Sequence, residues 1–187
     1  MPTFPTLRLA VLLAFTSLGA VSCISPPDYP DTPQIEFRSI TQEIKLDALQ
    51  QEYNNVGVSI NYKDGDGNLG MNKEEVDAGK NDPLNPNSYN FICIMQVLNS
   101  NNTFTDFTAT PALPGYSGQF PYLPPAEQGD RKAPLRGDIT LDIPITTPII
   151  TPFQTVPKGS VVRFKVKIKD RTLNESNEIV TSPITLQ

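Results

Sequence analysis

The chain has 187 residues, 19 of them proline, with no tryptophan and no histidine; this is enough for one well-cored domain and too little for two. Fifteen basic against 20 acidic residues give a formal charge of −5, which argues against nucleic acid and anionic lipid headgroups as ligands. The missing histidine excludes Ser-His-Asp and Cys-His nucleophile systems, HExxH zinc chemistry and a histidine pH switch.

Residues 1–22 read as a signal peptide. MPTFPTLR carries one positive charge at Arg8, and LAVLLAFTSLGAV follows as an apolar run too short to span a bilayer. The run Ala20-Val21-Ser22-Cys23 resembles the lipobox of bacterial lipoproteins. That resemblance implies cleavage before Cys23, acylation of its thiol and amine, and a membrane partner reached through the lipid anchor. The usual leucine three positions before the cysteine is replaced by Ala20, so ordinary secretion after the same small residues is the alternative. Without residues 1–22 the chain has 14 basic and 20 acidic residues, a charge of −6. Residues 23–33 form a proline-rich tether, with Asp28 and Asp31 compatible with the acidic export signals of surface lipoproteins. The second cysteine, Cys93, sits in the apolar run FICIMQV and reads as a buried thiol. That leaves neither a disulfide framework nor a Cys/His zinc site.

The domain occupies residues 34–187, and its dominant period is two. QIEFRSI (34–40) predicts a strand. KLDALQQEY (45–53) predicts one or two helical turns, and no segment predicts an amphipathic helix of three turns. Val56, Val58, Ile60 and Tyr62 alternate with small or polar residues as a half-buried strand does. YNFICIMQVL (89–98) is apolar on both faces, as in a central strand covered on both sides. An irregular excursion over about 99–137 follows. Further strands are predicted at Ile139–Ile145, at VVRFKVKIKD and at EIVTSPITL (178–186). The pattern specifies an all-β chain, an immunoglobulin- or fibronectin-like antiparallel β-sandwich with proline in its edges and loops.

DGDGNLG (64–70), GQFPYLPP, PLRGDITLDI and the terminal VRFKVKIKDRTLNESNEIVTSPITL together resemble a group of small Bacteroidota lipoproteins over most of residues 33–186. The resemblance implies an outer-membrane, surface-exposed address and a sandwich fold, and it implies no activity.

In a seven-strand sandwich the loops after the second and sixth strands emerge at one end. Asp64-Gly-Asp66-Gly-Asn68 and Asp170–Asn177 are therefore expected to meet as a polar apex. Calcium takes about six to eight oxygens, and Asp64, Asp66, Asn68 and Asp170 are the candidate metal ligands. Glu75 completes an EF-hand spacing, but Leu69 stands where that loop needs glycine. The competing reading is a pure turn, with Gly65, Gly67 and Gly70 at positive φ, aspartates making Asx turns, and Asp170-Arg171 a structural ion pair. Arg163, Lys165, Lys167 and Lys169 form a positive stripe that suits either solvent or an acidic partner. Arg136-Gly137-Asp138 reads as the start of a strand, and the sequons at Asn101 and Asn174 as unused ones. Phe104, Phe107, Tyr116, Phe120 and Tyr122 serve either as a sugar platform or as cover for the sheet.

The leading functional expectation is a non-catalytic envelope lipoprotein, a binding or structural accessory module whose partner is a glycan or an envelope protein. The alternatives are a glycan-binding module of an uptake system and a hydrolase pairing Asp64 or Asp66 with Asp170.

Overall fold

The computed structural model describes residues 28–82, 84–107, 115–121, 123, 134–152 and 154–187. Residues 1–27, which include the segment expected to be a signal peptide, Cys23 and the first part of the expected tether, lie outside them, as do Tyr122 and residues 108–114 and 124–133 of the expected excursion.

The elements run in the order β1 (Gln34–Leu46), β2 (Glu52–Asp64), α1 (Lys73–Asn81), a one-turn 3-10 helix (Pro86–Ser88), β3 (Phe91–Leu98), β4 (Phe104–Asp106), β5 (Leu135–Ile145), β6 (Ile149–Ile150), β7 (Thr155–Val156), β8 (Val161–Ile168), β9 (Ile179–Val180) and β10 (Ile184–Thr185). One sheet has the order β1-β2-β5, the second β10-β8-β3-β4 with β9 also on β8, and β6 pairs β7. Every one of these ladders is antiparallel. The order corresponds to A-B-E against G-F-C-C′ of an immunoglobulin-like sandwich, so the all-β expectation holds.

Alternation explains which side chains fill the space between the sheets. Val56, Val58 and Ile60 of β2 are fully buried, as are Met95 of β3 and Phe164 and Val166 of β8. Each such side chain contributes roughly 1.5–3 kcal/mol relative to exposure. Cys93 lies among them, and burial pushes its thiol up to about 12.

Three sequence expectations are corrected. Residues 45–53 form a hairpin turn: Asp47 Oδ1 accepts the N–H groups of Leu49 (2.8 Å) and Gln51 (2.9 Å), and β1 continues to Leu46 against β2. The Asx turn and a twelve-pair ladder outcompete two isolated helical turns, which are marginal in water. The outer face of β3 is only half covered, with Ile92 and Ile94 flanking Lys165 and Lys167 in a shallow groove. The described part of the excursion is less irregular than expected, since β4 and the backbone of Gly115 and Gly118 close the free edge of β3. On the far edge of β8, Ser176 Oγ and Thr181 Oγ1 accept the N–H groups of Ile168 and Phe164, each at 3.0 Å. Such closure protects the β3 and β8 flanks of this sheet, while β1 and β5 remain the edge strands of the other.

Candidate functional site

β2 and β8 each carry their inward alternation one step past the last apolar residue. After Tyr62 the next inward position is Asp64, and after Ile168 it is Asp170. The period of two therefore drives both carboxylates into one end of the core, where Asp64 is 0 % and Asp170 3 % exposed. The two loops meet as expected: Leu69 bridges Asp170 and Arg171 N–H donates to Asn68 O at 3.3 Å.

The meeting does not gather all four predicted ligands around one point. Asp170 closes its own turn, where Oδ1 accepts from Thr172 N (2.8 Å), Thr172 Oγ1 (2.9 Å) and Asn174 N (2.8 Å), and Oδ2 from Asn174 Nδ2 (2.8 Å). Asp66 Oδ1 accepts from Asn68 N at 3.4 Å and its Oδ2 from Asn68 Nδ2 at 2.8 Å. Asp64 Oδ2 accepts from the same Asn68 N at 3.1 Å. Two buried oxygens, Asp64 Oδ1 and Asn68 Oδ1, have no hydrogen-bond partner. Desolvation first, then the charge of Asp66 and more weakly that of Asp170, push the Asp64 carboxyl up to about 7 against the lowering effect of hydrogen bonds from Gly67 and Asn68. Among the described residues no three carboxylate or thiol side chains converge as a ready-made metal cage.

Gly67 (φ 74°) and Gly70 (φ 97°) occupy the left-handed region as expected, whereas Gly65 does not. Its reason is contact: Gly65 N–H donates to Pro30 O at 2.8 Å, and a Cβ there would run into the Tyr29 carbonyl. The tether thus enters the domain against the apex loop.

Sequence reasoning missed what Glu75 does. Asn72 Oδ1 accepts from Glu75 N and Glu75 Oε2 from Asn72 N, both at 2.8 Å, a capping box that starts α1. Glu75 Oε1 also accepts from Arg171 Nη2 at 2.8 Å, so Arg171 pairs across to the helix. Desolvation opposes the charge on Glu75, but the Asn72 backbone and Arg171 hold its carboxyl below the usual value. The Asn72-x-x-Glu75 spacing carried this signal.

The basic stripe is occupied within the molecule. Arg163 Nε donates to Gln96 Oε1 at 2.7 Å with its guanidinium 4.1 Å above the Phe104 ring, Lys165 pairs with Asp106 at 2.6 Å, and Lys167 and Lys169 share Glu175. Phe107 and Phe120 are buried, and Tyr116 packs edge-on against Phe164. Arg136-Gly137-Asp138 lies in β5 with Asp138 paired to Arg38, and Asn101 and Asn174 are bonded within their own turns. Comparison with protein-family models, with curated proteins and with solved structures returns no match.

Proposed function

We propose that this chain is a non-catalytic β-sandwich lipoprotein, held at a bacterial outer membrane through Cys23 and serving as a binding or structural accessory module for another envelope protein. The observation that carries this reading is the tether junction. Pro30 is fixed to Gly65, so the segment that follows Cys23 joins the sandwich at the apex. The lipobox-like run before Cys23 and the resemblance to small Bacteroidota lipoproteins support the address. The burial of Phe107 and Phe120 and the packing of Tyr116 favour a protein over a glycan as partner. A general acid and base must reach substrate, whereas Asp64 is closed off and Asp170 is bonded within its own turn, which supports the non-catalytic reading.

The test is metabolic labelling with a palmitate analogue. Label is expected on the wild type and lost in Cys23→Ala. An unlabelled wild type, or label persisting in the variant, defeats the anchored reading. Cys93 does not confuse the result, since its thiol is fully buried.

A further inference from the structure

We propose that the apex binds calcium through two inner side-chain oxygens, Asp64 Oδ1 and Asn68 Oδ1, with Asp66 as the residue that positions them. The inference is independent of the lipid anchor.

Both oxygens are buried acceptors without a donor in a single five-residue stretch. Leaving such a group unpaired in the interior is destabilising, and more so when it carries charge. The arrangement around them is one-sided. Asp66 Oδ2 holds the Asn68 amide nitrogen at 2.8 Å, so the amide oxygen is turned the other way. The Asn68 N–H, shared between Asp64 Oδ2 and Asp66 Oδ1, holds the two carboxylates together. Asp170 adds negative charge through space. Among the described residues no lysine or arginine is paired with Asp64, Asp66 or Asp170; the nearby Arg171 is turned to Glu75. The end of the core thus concentrates acceptors and negative charge, answered among the described residues by backbone N–H groups, side-chain amides and the Thr172 hydroxyl.

The donor set selects the cation. Carboxylate and amide oxygens with no nitrogen or sulfur suit a hard ion, and a glycine-rich loop supplying oxygens at irregular spacing suits calcium better than magnesium, which demands a near-ideal octahedron. Backbone carbonyls and water complete the shell. This shell is smaller than the four-residue set expected from sequence, because Asp170 remains the cap of its own turn.

The experiment uses the purified full chain, stripped with EDTA and titrated with calcium or with magnesium. Calcium is expected to raise Tm, since a hundredfold excess over the dissociation constant raises the folding constant about a hundredfold, and magnesium to do much less. Terbium supplies a readout independent of unfolding: the chain has no tryptophan, so emission excited through tyrosine reports an ion near Tyr62, which shares the inward face of β2 with Asp64. Calcium should displace it. Asp64→Asn and Asn68→Ala should each lose both responses, and Asp64→Asn should melt higher than the wild type in EDTA because a buried charge is gone. Superimposed wild-type curves in calcium and EDTA, an equal response to magnesium, or responses retained by both variants overturn the proposal.

Discussion

Asn90 holds Phe120 as a neighbouring strand would: its Oδ1 accepts from Phe120 N and its Nδ2 donates to Phe120 O, both at 2.8 Å. The same clasp recurs twice. Asn177 takes the N–H and carbonyl of Ile35 at 2.9 and 2.8 Å, and Asn54 those of Gln187 at 2.7 and 2.8 Å. A side-chain amide has the donor and acceptor spacing of a peptide unit, so each asparagine can serve an N–H and a carbonyl of one residue at once, as a neighbouring strand does.

Asn90→Ala should therefore cost about 1–3 kcal/mol, because it leaves the Phe120 N–H unpaired, while the Phe120 carbonyl keeps the Met71 N–H at 3.1 Å. Urea unfolding with an unchanged m-value is the measurement.

In EDTA the pH dependence should run opposite to that of an ordinary salt-bridged carboxylate. The Asp64 carboxyl stands at about 7 in the folded chain and near 4 unfolded, so between these values the native state holds a proton that the unfolded state has released. Stability then rises as pH falls from 7 towards 4, by on the order of 3–4 kcal/mol at most. Thermal melts at pH 7 and pH 5 check this: Tm should be higher at pH 5, and Asp64→Asn should remove the difference. A wild-type Tm equal at both values would contradict it.

Gly65→Ala should destabilise by about 1–3 kcal/mol, the cost of overpacking a site with no room, because the new methyl meets the Tyr29 and Pro30 backbone. Limited proteolysis gives a second check, with cutting near residues 28–33 accelerated in the variant. Gly159, which unlike Gly65 is at positive φ but has nothing within 4 Å of a new Cβ, should lose stability to alanine without any change at the tether.

Removing either member of the Arg171–Glu75 pair should have unequal effects. The pair is about 40 % and 35 % exposed, so Arg171→Ala should cost less than 1 kcal/mol. Glu75→Ala also breaks the capping box of α1 and should cost about 1 kcal/mol more. Equal losses in a chemical-denaturation series would mean that the cap contributes nothing.

The alternation of Val56–Tyr62 and Val162–Ile168 was enough to read from sequence both strands and the meeting of the loops after them. Extended by one step it also places Asp64 and Asp170 in the core layer. The asparagine clasps were not legible, because asparagine favours turns in general and only the tertiary fold brings Phe120 or Gln187 beside one. The second half of β1 was hidden for a related reason: Lys45 and Leu46 look helical alone and become strand because β2 offers them a ladder. The precise donor set of the apex was hidden too, since the sequence cannot show that Asp170 turns to Thr172 and Asn174.

The clasp of Asn54 on Gln187 and the seating of Pro30 on Gly65 fix residues 187 and 30 at opposite poles of the sandwich. Tension applied between an anchor before Pro30 and a partner gripping the far pole would therefore run along the strands. β1 would slide against β2 rather than peel from it, and their twelve register pairs would resist together instead of one after another. Under such a load the β1–β2 pair would be strained in shear.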